Sequence, residues 1–400
     1  MGFWAELKIL VEQDLAIHMG RPVNNPNLWK CLVVDFLLIQ LIIGPFTVCI
    51  WRGAWEFYDW VFGKIIDGVF YGGLLAFLLG FVLATVIALF FREIADFAKN
   101  GGTIQYLLVS RSYSMLRFLV ALLYWKGVFD MLDAIYVKEW IVPHFAVVLA
   151  ACALFIIGAF KSAAVTPPIG VNLDTQNDYI TIATFYGTTR EDSLQFRFVD
   201  ALCTTTVEVI SCIAFYGAWG CGKHWFGGRT NDDIKTIRDA LIALIIAHGI
   251  SVLVFISQFI YLYNHRRDKS RYHVQEWKDL CYALILILSL FATASYIRGW
   301  WELMDVTMNR LIPNYLAVEN AVTFFLSFMI IILMGTASYN HFGVARESRR
   351  DKEGILLPFF YLTYYLRDRS EESAESTFTT HDATFAKLQK MLSSQENTKS

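Results

Sequence analysis

The chain has 400 residues, 56 % hydrophobic and 18 % charged, with a net charge of −2 and a mean hydropathy of +0.44. That balance excludes a disordered chain, a disulfide-rich module and a nucleic-acid binder, and it argues against a soluble enzyme.

The first 28 residues carry Glu6, Glu12 and Asp14, so they do not read as a signal peptide. Phe3, Trp4, Leu7, Leu10, Val11 and Leu15 recur at helical spacing. This predicts an amphipathic helix over 1–28 that lies in the membrane interface. A hydrocarbon core about 30 Å thick needs about 20 apolar residues in a helix. Eight runs meet that need, at 29–51, 68–91, 107–125, 139–160, 199–219, 237–263, 278–297 and 313–338. None alternates with period two, so helices are expected and a β-barrel is not.

Gly44-Pro45 interrupts the first run, as a kink or as a broken helix. Arg111 and Arg117 interrupt the third and read as an inner helix end reaching headgroups. The longest connection, 161–198, is polar and reads as a docking segment. Beyond the last run, 339–369 combines a basic stretch with an apolar, aromatic piece too short to span. The tail 370–400 is rich in Ser, Thr and Glu and reads as disordered.

The basic run HRRDKSR at 265–271 places the N-terminus, the even connections and the tail on the cytoplasmic side. The expected fold is therefore an all-α polytopic membrane bundle. It has eight transmembrane helices, arranged as four pseudo-repeated hairpins, with both termini cytoplasmic. Cys49 and Cys221 lie near the outer face, and their spacing leaves a pairing open.

An internal repeat organises the spans. WRGAWEFYD at 51–59, WKGVFDMLD at 125–133 and IRGWWELMD at 297–305 share one pattern. Each runs basic, Gly, any, aromatic, acid, with Asp three residues further on. FYGAWGCGK at 215–223 keeps only Gly217 and Trp219. Each copy ends an odd-numbered span, so the unit reads as one hairpin used four times. On a helix, Arg52, Glu56 and Asp59 share a face, as do Lys126, Asp130 and Asp133, and Arg298, Glu302 and Asp305. The aromatics Trp55, Phe129 and Trp301 flank that face. Gly53, Gly127 and Gly299 permit close approach of a neighbouring helix. In one reading each copy anchors a helix end, its base pairing with the acid one turn below. In the other, the copies converge on a central axis and form a charged, aromatic-rimmed vestibule. Nine of the twelve Trp (51, 55, 60, 125, 140, 219, 225, 300 and 301) fall on the outer side, where an ordinary belt would populate both interfaces. Pro143 and Pro313 open the return helices of hairpins two and four, which hints at two parallel halves.

Asp35, Glu208 and His248 sit inside apolar runs, with Gln40 and Gln258 as neutral company. Intramembrane ionisable groups face partners or cavities. Glu208 and His248 read as a pair gluing adjacent helices, as a proton or ion relay, or as a substrate contact. No nucleotide-binding loop, HExxH, nucleophile elbow or Cys/His metal spacing occurs, so neither catalysis nor a cofactor is expected.

IWRGAWEFYD at 50–59 and YIRGWWELMDV at 296–306 resemble the Fuseless family of animal eight-pass membrane proteins. The likeness covers roughly 29–338. It implies a neuronal, presynaptic, non-enzymatic role, since the fly member is associated with organising calcium channels at synapses. The partners it implies are the lipid bilayer and a presynaptic channel or scaffold protein, not a nucleic acid. Its marks here are Arg52, Gly53, Trp55, Glu56, Asp59, Arg298, Gly299, Trp301, Glu302 and Asp305. The third copy departs from the pattern, with Tyr216 in place of the base and no acid following. The alternative to the organising role is a transporter or channel with a polar pathway near Glu208 and His248.

Overall fold

The computed structural model describes residues 9, 28–135, 141–164, 184–189, 191–227, 232–267, 273–311, 316–334 and 336. Most of the expected interfacial helix at 1–28, Trp140, Pro313, the 339–369 segment and the 370–400 tail lie outside them. Every regular element among the described residues is helical. In chain order these are α1 (Leu28–Leu38), a π-helical turn (Ile39–Ile43), α2 (Gly44–Ile65), α3 (Val69–Lys99) and α4 (Thr103–Ile135). They continue with α5 (Ile141–Ile156), the short α6 (Lys161–Ala164), α7 (Leu194–Phe226), α8 (Asp233–Arg267), α9 (His273–Leu311) and α10 (Leu316–Leu333).

Each of the eight apolar runs contains helix among its described residues. Five are long and apolar enough to cross a membrane: Trp29–Ile65, Val69–Lys99, Leu194–Phe226, Asp233–Asn264 and Leu280–Met308. Ile141–Ile156 and Glu319–Leu333 are apolar but shorter. The 33-residue α4 has the length, at about 50 Å for 1.5 Å per residue. Its interior carries Arg111, Arg117, Lys126 and Asp130, which lower its hydropathy.

The motif-bearing helices α2, α4, α7 and α9 form an inner ring. Each touches the next, and α9 closes the ring on α2. The other long helices stand outside it. α3 packs on α4, α5 on α7, α8 on α9 and α10 on α2, and these are the four most extensive contacts in the molecule. The expected hairpins are thus not the packing units. α2 and α3 touch only slightly, as do α7 and α8, and the helices of the second and fourth hairpins hardly meet. Each inner helix instead packs on the outer helix that precedes it, and the last helix serves the first.

The repeat's glycines explain this pairing. A Cβ at Gly53 would lie closer than 3.0 Å to Asn320 of α10, and one at Gly127 equally close to Gly73 and Phe77 of α3. At Gly217 it would meet Pro143 and Val147 of α5, and at Gly299 Ala240 and Leu244 of α8. All four contacts include backbone atoms or the root of a side chain, which cannot move aside. The glycine flank of every copy is therefore a close helix–helix seam, a device used where lipid offers no hydrophobic drive for association.

Candidate functional site: the ring at the motif end

Numbering each copy from its basic position fixes three directions on the helix. The glycine one residue on faces the outer helix. The residue before the base and the aromatic three after it lie on the opposite flank, and that flank faces the ring's axis. The axis accordingly holds two aromatic tiers. In the deeper one, Trp51 meets Trp125 at 5.6 Å and Phe215 at 6.4 Å, and Trp125 meets Phe215 at 5.3 Å. With Ile297 these four side chains are at most 3 % exposed, so the tier is a packed plug. One turn outward, Trp55 packs edge-on against Phe129 at 5.1 Å and Trp301 at 5.8 Å, and Trp219 against Trp301 at 6.0 Å. This second tier is half-buried and opens at the motif end. All four copies, including the divergent third, contribute to it.

The charged face lies between neighbouring inner helices. Arg52 and Arg298 are almost wholly buried, and so is Lys126. The expected link within each copy is only part of what holds them. Arg52 donates from Nε to Asp305 of α9 at 2.6 Å, and from Nη1 to Glu319 and Asn320 of α10 at 3.2 and 3.1 Å. Its expected partner Glu56 also acts on it through its charge. Lys126 does bond its own Asp130 at 2.8 Å, and it also reaches Asp59 of α2 at 2.5 Å and lies over the Trp55 ring at 5.2 Å. Asp133 accepts from the Tyr216 hydroxyl at 2.8 Å. Arg298 stands 3.6 Å from Glu302, one turn along its own helix. The spacing of the motif shows its face but not its neighbour. Glu319 and Asn320 escaped notice, although a Glu-Asn pair in an apolar run was the visible signal.

The intramembrane groups have partners other than the expected ones. Glu208 does not meet His248. It accepts from Arg117 Nη2 at 3.3 Å and from the Tyr124 hydroxyl at 2.8 Å, all three being buried. Arg117 is consequently not a headgroup-seeking helix end. It and Tyr124, seven residues apart, share the face of α4 that meets α7. His248 Nδ1 lies 2.9 Å from Gln40 Oε1, with its ring 5.5 Å from that of Tyr296. Asp35 is fully buried.

Gly44-Pro45 marks neither a simple kink nor a broken helix. Gly44 donates to Ile39, one residue further back than in an α-helix, and the chain passes through a π turn. The carbonyl of Gln40 then accepts the Tyr296 hydroxyl at 2.5 Å. Gly44 is needed there, because a Cβ would collide with that hydroxyl.

At the opposite end, Asp200 ties down part of the long connection. It accepts from the hydroxyls of Thr184 and Thr188, both at 2.6 Å, and from the backbone of Tyr186 at 2.7 Å. Arg197 bonds Glu93 at 2.7 Å beside it. No repeat or spacing advertised this lock. Cys49 and Cys221 are both free thiols. Among the described residues, no group of three or more His, Cys, Asp or Glu side chains is placed to hold a metal.

Comparison with curated proteins finds no match, and comparison with solved structures finds none either. The family model Fuseless matches residues 30–339, which takes in every described helix from α2 to α10 and all four motif copies. The chain belongs to the Fuseless family.

Proposed function

We propose that this is a non-enzymatic, eight-pass protein of the presynaptic plasma membrane, both termini cytoplasmic, that organises or regulates calcium-channel complexes. Family membership supports the synaptic part of this reading. The observation that carries the mode of action is the filled axis. Trp51, Trp125 and Phe215 touch across the ring, so its centre is occupied by close-packed side chains. A ring packed in this way is suited to presenting a fixed face to another protein. Its half-buried aromatic tier, with Phe57, Trp60 and Trp225 exposed nearby, has the composition of a protein-binding face. The transport reading places Glu208 and His248 in one polar pathway, whereas each is held by a partner of its own.

The test combines two measurements. Purified protein in liposomes is expected to carry no ion flux. Co-expression with a voltage-gated calcium channel is expected to change the channel's surface density, and Trp55→Ala with Trp301→Ala to remove that change. Measurable flux, or a channel density indifferent to the protein, overturns the proposal.

A further inference from the structure

Three of the ring's four joints are built alike. The carboxylate seven residues after the basic position of one copy bonds the residue at the basic position of the next. Asp59 meets Lys126, Asp133 meets Tyr216, and Asp305 meets Arg52. At the fourth joint, from α7 to α9, the corresponding residue is Lys223, and the group it should meet is Arg298. The two helices do adjoin here. A Cβ on Gly222 would stand 3.5 Å from Arg298 Nη1 and 3.8 Å from Ser295 Oγ.

The consequence is a guanidinium whose donors are left open. Arg298 is fully buried, and none of its three side-chain nitrogens has a hydrogen-bond partner among the described residues. Glu302 is 3.6 Å from Nε, too far for a hydrogen bond. Asp239 of α8 acts on Arg298 through its field, but its carboxylate is engaged by Arg238 at 3.0 Å. Charge sharpens the contrast with the other joints. Lys126 has two acids, Asp59 and Asp130, and Arg52 has Asp305 and Glu319. At the fourth joint two carboxylates, Glu302 and Asp239, face three cations, Arg298, Lys223 and Arg238. A buried cation with open donors is costly unless something negative joins it.

We propose that the joint between α7 and α9 binds a small monovalent anion, a halide or a short carboxylate, between Arg298 and Lys223. It takes the place that an aspartate side chain holds at the other joints. The guanidinium offers paired donors that suit a carboxylate as well as a halide. Lys223 is exposed, so the ion enters from the motif end. This site is independent of the channel-organising role.

The experiment follows the thermal unfolding midpoint of the full-length protein in detergent. Chloride or acetate replaces a bulky sulfonate at constant ionic strength. A saturable rise of about 2 °C or more is expected with chloride, acetate or both. Lys223→Asp supplies the missing acid, so it is expected to raise the midpoint in sulfonate and to lose the anion response. Arg298→Gln is expected to lose the response as well. Equal midpoints in all three salts overturn the proposal. So does a Lys223→Asp protein that keeps the wild-type response, a readout that stands even if Arg298→Gln fails to fold.

Discussion

The motif end and the middle of the bundle bury charge in different ways. At the motif end, one pattern is used again and again. A base from one inner helix meets an acid from the previous one, with aromatic side chains on the axis and a glycine seam outside. In the middle, each buried group has a solution used once. Glu208 is held by Arg117 and Tyr124, and His248 by Gln40 at a π turn. The first arrangement repeats one joint, in which the basic position needs only a donor to the aspartate of the previous copy. That is why Tyr216 can replace a base and still bond Asp133. The second depends on single pairs whose loss leaves an unmet charge.

The largest expected effects test this contrast directly. Arg52→Met leaves Asp305 and Glu319 facing each other without their cation and is expected to destabilise by about 3–5 kcal/mol. Glu208→Leu bares Arg117 and is expected to cost about as much. Adding Arg117→Met to Glu208→Leu is expected to recover most of that loss, because two apolar side chains replace a buried pair. Unfolding midpoints in detergent give all three values. If the double variant is no better than Glu208→Leu, Arg117 has another role in the fold.

A smaller effect probes the seams. Gly127→Val puts side-chain atoms against the α3 backbone and is expected to cost about 1–3 kcal/mol. Gly249 faces open space, so Gly249→Ala is expected to stabilise the helix by up to about 1 kcal/mol. Equal effects at the two sites would remove the seam as an explanation of the repeat. The smallest effect belongs to the divergent copy. Tyr216→Phe deletes one hydrogen bond and is expected to cost about 0.5–1.5 kcal/mol. A larger value would mean that the third copy carries more of the ring than its single bond suggests.

Hydropathy made the helices legible, and self-similarity made the site legible. Runs of about 20 apolar residues need only counting. Four spaced copies stand out because the same residue types recur at fixed offsets. Neighbours were harder. Helical periodicity shows which residues share a face, and not what that face meets. Arg52 meets Asp305, 253 positions away, as readily as its own helix allows Glu56. The same gap misassigned the hairpins, since the glycines gave close approach without saying to which helix. Glu208 and His248 were paired because they were scarce and lay in adjacent spans, but chain order gives neither rotation nor facing. The face of α4 that carries Arg117 and Tyr124 held the clue, hidden by reading Arg117 as a helix end. The Asp200 lock draws on Thr184, Tyr186 and Thr188, residue types too common in loops to be conspicuous.

The central claim is that the four copies close into a ring, with the last bonded to the first. A double-mutant cycle between Arg52 and Asp305 tests it most directly, using Arg52→Met, Asp305→Leu and the pair of changes, each followed by thermal or denaturant unfolding of the full-length protein. The ring predicts a coupling energy of about 1.5 kcal/mol or more between positions 253 residues apart. Additivity to within about 0.5 kcal/mol would mean that the first and last copies do not touch, and would contradict the account.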